Sequence, residues 1–198
     1  NYYEITVVVI RSNLTKSCTT RWRFMARRDT WTISSGDNNT VIAITKTEIG
    51  KLFHGDTRSD IGSEAGKMKF ANGVNDLVTK FIRLDVNEEL DVDMLVMERL
   101  YPMDFRAYEQ EIRLLWLNVF EDELKALQSA GFVHRDLRWP SDMPGLRYDN
   151  IFLTETSLRL IGVGISALKS QVGDKLFNRF VEREWEEYEV FRKDFLAR

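Results

Sequence analysis

Gly131-Phe-Val-His-Arg-Asp-Leu-Arg-Trp139 constrains what this chain can fold into more than any other stretch. It follows a long helical segment, Asp104 to Ala130. There Ile112, Leu115, Leu117, Val119, Phe120, Leu124 and Leu127 form a broad apolar stripe with charges between. Glycine readily takes the left-handed conformation that ends a helix, so Gly131 reads as the C-cap. Downstream come two short strand-like runs, Ile151-Phe-Leu153 and Leu158-Arg-Leu-Ile-Gly-Val-Gly164. A loop bearing His134, Arg135 and Asp136 therefore sits between a helix end and these two runs, with Asn150 just before the first.

This set of residues resembles the catalytic core of the protein kinase family. His134-Arg135-Asp136-Leu137 stands at the place of the catalytic loop, Asn150 at that of the metal-binding Asn, and Leu160-Ile161-Gly162-Val163-Gly164 at that of the Asp-Phe-Gly motif. The resemblance implies that Asp136 orients a substrate hydroxyl, with Arg138 beside it in the loop. It also implies that Asn150 and a second Asp hold magnesium against the phosphates of ATP. Two departures stand out. Gly162 occupies the position of the second Asp. The family places its Asn five residues after the loop Asp, whereas Asn150 follows Asp136 by fourteen. The extra residues fall in Arg138 to Asp149, a loop by its Pro140, Pro144 and Gly145. That insertion is either a recognition element beside a cleft or an inert surface loop.

Upstream, Tyr2 to Ile10, Thr20 to Ala26, Thr30 to Ser34 and Thr40 to Lys46 read as strands, the last three as an antiparallel meander. Ile42-Ala-Ile-Thr-Lys46 resembles the Val-Ala-Ile-Lys strand of the kinase small lobe, which would put Lys46 on nucleotide phosphates; otherwise Lys46 is a surface residue ending a strand. The Gly-rich loop of the family is missing: Gly36 is the one glycine before Lys46. Thr57 to Asn72 reads as a helix capped by Ser59 or Ser63. Glu64 on it is either the partner of Lys46 or an exposed helix glutamate. Asp76 to Leu84 and Val92 to Leu100 read as two more strands. By position in the resemblance Met97 is the gatekeeper, Glu98 to Leu100 offer backbone groups to adenine, and Phe152 lies beside the nucleotide. Asp174 to Arg198 reads as one charged amphipathic helix with Phe177, Phe180, Trp185, Tyr188, Phe191 and Phe195. No Ala-Pro-Glu motif follows Gly164.

Composition bounds the function. The chain has 198 residues, 43% apolar and 30% charged, enough for one domain with a sizeable core. A net charge of -3 points away from nucleic acid and from anionic membrane surfaces. One cysteine, Cys18, excludes an internal disulfide framework and suits a reducing compartment, so a cytoplasmic setting or delivery into a host cytosol is expected. No run has the length of a membrane span. The chain begins at Asn1 without Met, consistent with a start inside a longer protein or after a removed leader.

The expectation is a single α+β domain, residues 1–198, with a bilobal protein kinase-like fold. Residues 1–100 form a small lobe with a five-stranded antiparallel sheet and one helix, and 101–198 a reduced helical large lobe. The resemblance implies a degenerate kinase that acts on a protein partner mainly by binding, with weak nucleotide affinity. The alternatives are an active atypical Ser/Thr kinase with a protein substrate, a kinase inactivated by substitution at Gly162, or a small-molecule phosphotransferase. ATP and magnesium are implied if it is active, and no cofactor if it works by binding alone. The expected catalytic residues are Asp136, Lys46 and Arg138, with Lys46, Glu64, Met97, Glu98, Leu100 and Phe152 around the nucleotide and Asn150 on the metal.

Overall fold

The structure, a computed structural model, describes residues 31–35, 40–53, 60–137, 148 and 150–197, the first of these segments by its backbone alone. The expected strands at 2–10 and 20–26, and the inserted loop with Arg138 apart from Tyr148, lie outside the described residues.

The protein is mixed α and β with an antiparallel sheet. Strands β1 (Trp31–Ser35), β2 (Thr40–Ala43), β3 (Glu48–Phe53), β4 (Phe81–Asn87) and β5 (Val92–Glu98) pair in the order β1-β2-β3-β5-β4. β5 lies between β3 and β4, and Met94 to Met97 are buried on both faces, as their unbroken apolar run requires. β4 is an edge strand, and Leu84 and Val86 on it stay exposed. β3 was not anticipated. Its Gly50 hides it: an added Cβ there would overlap the side chain of Met94 on β5, which would have to move.

Helix α1 (Ile61–Asn72) packs on the sheet through Ala65, Met68 and Ala71. Its N-cap is Asp60, whose carboxylate accepts the Ser63 N–H at 2.7 Å, rather than Ser59 or Ser63. Helix α2 (Gln110–Ala130) buries Leu117, Phe120, Leu124 and Leu127, one stripe of its surface. It ends at Gly131 in the left-handed conformation, φ 101°. Strand β6 (Phe132–Val133) pairs with β9 (Ala167–Leu168), and β7 (Ile151–Leu153) with β8 (Leu158–Leu160). After the short helix α3 (Lys169–Val172), α4 (Asp174–Leu196) closes against α2, stacking Tyr188 on Phe120 at 5.9 Å between ring centres. One continuous core runs from Phe53, Met68 and Leu95 to Phe120, Leu160, Phe191 and Phe195. The backbone of 77–79 is tied to β8 by Leu160 N–H to Leu77 O and Thr79 N–H to Leu160 O. No helix among the described residues is long and apolar enough to cross a membrane.

Candidate functional site

Helix α2, ended by Gly131, and strand β6 deliver the chain into His134, Arg135 and Asp136. The β7–β8 hairpin brings Asn150 to the same place. Asn150 Nδ2 donates to Asp136 Oδ2 at 2.9 Å and to Asp136 O at 3.0 Å. Positions 136 and 150 thus lie together despite the residues between them, as the slow growth of loop-closure entropy with length allows. Beneath them, His134 Nε2 donates to Ile161 O at 2.7 Å. His134 is fully buried, and desolvation pushes its pKa down to about 4, so the ring is neutral at physiological pH.

The loop is held from the far end of the chain. Glu184 Oε1 on α4 accepts the N–H groups of His134 (2.6 Å) and Arg135 (2.8 Å). One turn further, Glu187 Oε2 accepts the N–H of Leu137 at 3.0 Å. Arg135 sits at φ 73°, a costly conformation for a residue with a side chain. Its side chain is fixed by a bond to Ile165 O and by the Phe180 ring 3.9 Å below it. Burial raises the pKa of Glu184 to about 7, against the pull of Gln128 and the two loop N–H groups. Neither glutamate was singled out in the sequence. A signal was there: Phe177, Val181, Tyr188, Phe191 and Phe195 repeat at steps of four and three, and Glu184 occupies the remaining place in that apolar stripe.

On the sheet side, the partner of Glu64 is not Lys46. Lys51 Nζ on β3 reaches both carboxylate oxygens of Glu64, at 2.9 and 2.8 Å, and Glu64 is 2% exposed. Lys46 lies in the exposed β2–β3 turn, where its carbonyl accepts the Tyr101 hydroxyl at 2.7 Å. The reason is a slip of one strand: 40–43 is the second strand of the meander and 48–53 the third. Lys67, one turn beyond Glu64, donates to Gly164 O at 2.8 Å, and burial lowers its pKa against the pull of Glu64.

Met97 is buried in the core, opposite Ile49 and Phe81. Glu98 has structural partners: its N–H donates to Lys80 O, and its carboxylate accepts the Lys80 N–H and pairs with Arg159 on β8. Arg99 N–H donates to Thr47 O at 2.8 Å. Leu100 N–H donates to no described residue. Phe152 is half-buried on β7, on the side opposite Ile151 and Leu153.

The described residues do not fit a resident magnesium ion. Among the described residues no group of three His, Cys, Asp or Glu could hold a metal. Gly162 offers no carboxylate, lies at φ 73°, and would overlap Asn150 Oδ1 if it carried a Cβ. The place a Cβ at 162 would take is occupied by the side chain of Asn150. No protein-family model and no curated protein matches the chain.

Proposed function

We propose that this protein is a degenerate protein kinase-like domain that acts by binding a protein partner and retains a weak nucleotide site without working phosphoryl-transfer chemistry. The observation that carries the reading is Gly162. It stands where a metal-binding carboxylate is needed, beside an Asp136–Asn150 pair and within a fold that also supplies the Lys51–Glu64 pair. Magnesium binds nucleotides through one or two carboxylates plus phosphates, and Asn150 is a neutral ligand already engaged with Asp136. Lys51, tethered by Glu64 and 13% exposed, is the cation suited to a phosphate, and it replaces Lys46 in that role. Leu100 N–H is the main-chain donor suited to a purine edge. In this reading the sheet and α1 form one lobe and α2 to α4 the other, and the nucleotide binds between them.

Two measurements on the same protein test this. ATP should raise the melting temperature to the same extent with magnesium and with EDTA, and Lys51→Met should abolish the rise. Ligand binding to the folded state stabilises it by about 2.7 kcal/mol at a hundredfold excess over Kd. Autophosphorylation with magnesium or manganese should be absent. Transfer that Asp136→Asn abolishes would replace this reading with an active atypical kinase.

A further inference from the structure

Glu184 is the one carboxylate on the apolar stripe of α4, fully buried, and both of its oxygens are in use. Oε1 takes the two loop N–H groups, and Oε2 accepts Gln128 Nε2 from α2 at 2.8 Å. The other end of the same amide is also committed: Gln128 Oε1 accepts Trp185 Nε1 at 3.0 Å. An ionised Glu184 therefore fixes the direction of the Gln128 amide, and the amide fixes the indole.

We propose that Glu184, Gln128 and Trp185 form a proton-operated latch on the loop 134–137. Oε1 already faces two donors, so a proton entering from solvent binds Oε2. There it meets the Gln128 NH2 group, donor against donor. Gln128 must turn its amide to present its oxygen to the new O–H. That turn aims the NH2 group at Trp185 Nε1–H, and the indole loses its acceptor. At the loop, a neutral oxygen replaces an ionised one beneath the His134 and Arg135 N–H groups. Charge-assisted hydrogen bonds are roughly twice as strong as neutral ones, so the grip on the left-handed Arg135 weakens. Asp136, the next residue, moves with it.

The surroundings allow this titration near neutrality. Glu187 is the nearest like charge on α4; its Oε2 is on Leu137 N–H and its Oε1 on Arg183, which is exposed. From α2 come Gln128 and Lys125, the latter over the Trp185 ring rather than on the carboxylate. From the loop come neutral His134 and the Arg135 guanidinium, which is held over Phe180. Strand β6 adds only Phe132 and Val133, and Lys169 of α3 is paired with Asp174. Thus no cation pairs with Glu184 among the described residues. Burial and Glu187 raise its pKa to about 7. The latch does not depend on the nature of the ligand in the cleft.

The test is a pH titration of the whole chain by 15N NMR, with Trp185→Phe assigning the indole signal. From about pH 5.5 to about 8.5, the Trp185 indole and the His134 and Arg135 amides should shift together with one midpoint near 7. Glu184→Gln keeps an oxygen for the two N–H groups but cannot titrate. All three signals should then stay at their low-pH positions throughout. Gln128→Met provides a second reading should Glu184→Gln not fold. It removes a donor that favours the ionised form, so the amide midpoint should rise by about one unit while the indole stops following. Signals that do not move in the wild type, that still move in Glu184→Gln, or that remain joined to the indole in Gln128→Met would overturn the latch.

Discussion

Asn150 donates to both the carboxylate and the carbonyl of Asp136, fourteen positions before it. One amide group therefore fixes the side chain and the backbone of the residue at the centre of the site. The contact makes Asn150 a brace before it is a ligand, and it bears directly on Gly162.

Introducing a carboxylate at Gly162 tests the proposed reading, and the geometry opposes it. Gly162→Asp must adopt φ 73° and push Asn150 away from Asp136. A strained non-glycine residue costs about 1–3 kcal/mol. Urea melts should show that loss for Gly162→Asp and Gly162→Ala alike, and magnesium should not increase ATP binding in the aspartate variant. Full stability together with new magnesium-dependent binding would show that Asn150 moves freely.

Lys51 and Lys46 should behave differently. Lys51→Met removes the cation that reaches both Glu64 oxygens, and breaking such a buried pair costs about 3 kcal/mol or more. Lys46→Met alters an exposed turn and should stay within about 0.5 kcal/mol. The double variant Lys51→Met, Glu64→Leu should recover part of the loss. Equal effects of the two single variants would return the pairing to Lys46.

His134 and Glu184 should oppose each other in the pH dependence of stability. The folded pKa of His134 lies near 4, below the ordinary 6.5. Its contribution is complete above 6.5 and is lost as pH falls toward 4. The folded pKa of Glu184 lies near 7, above the ordinary 4.5. The unfolded state sheds that proton first, so stability is gained as pH falls from 7 toward 4.5. Each shift corresponds to about 3 kcal/mol over its window. Denaturant melts from about pH 4.5 to about 7 should show the advantage of wild type over Glu184→Gln growing toward acid, and its advantage over His134→Gln shrinking.

Phe191 joins three rings, Phe120 at 5.8 Å, Tyr148 at 5.0 Å and Phe195 at 5.3 Å. Phe191→Ala should cost about 3–5 kcal/mol in urea melts. Val190→Ala, one position away and exposed, should cost little.

What the sequence revealed follows from the reach of each signal. Helix α2 was legible because its apolar stripe repeats over many turns and ends at a glycine. The loop was legible because its residues are contiguous. Strand β3 was not, because Gly50 and the charges Glu48 and Lys51 disguise a buried strand whose glycine lies against Met94 on another strand. Missing it moved the lysine by one strand. Glu184 and Glu187 were passed over among the charges of the C-terminal helix, since a carboxylate that serves backbone N–H groups has no sequence partner to pair with. The N-cap passed from serine to Asp60 for a local reason: helix ends are set by which side chain reaches the N3 amide.

The hold of Glu184 and Glu187 on the loop also orders events during synthesis. The loop leaves the ribosome about fifty residues before the glutamates that fix it. The sheet, α1 and α2 are complete by residue 130, so they can fold first, while Arg135 has nothing to hold it in its left-handed conformation. A nascent chain stalled before Glu184 would carry a finished sheet above an unfixed loop. Any binding that needs Asp136 in place must therefore wait for α4, which makes synthesis of that helix the step that switches the site on.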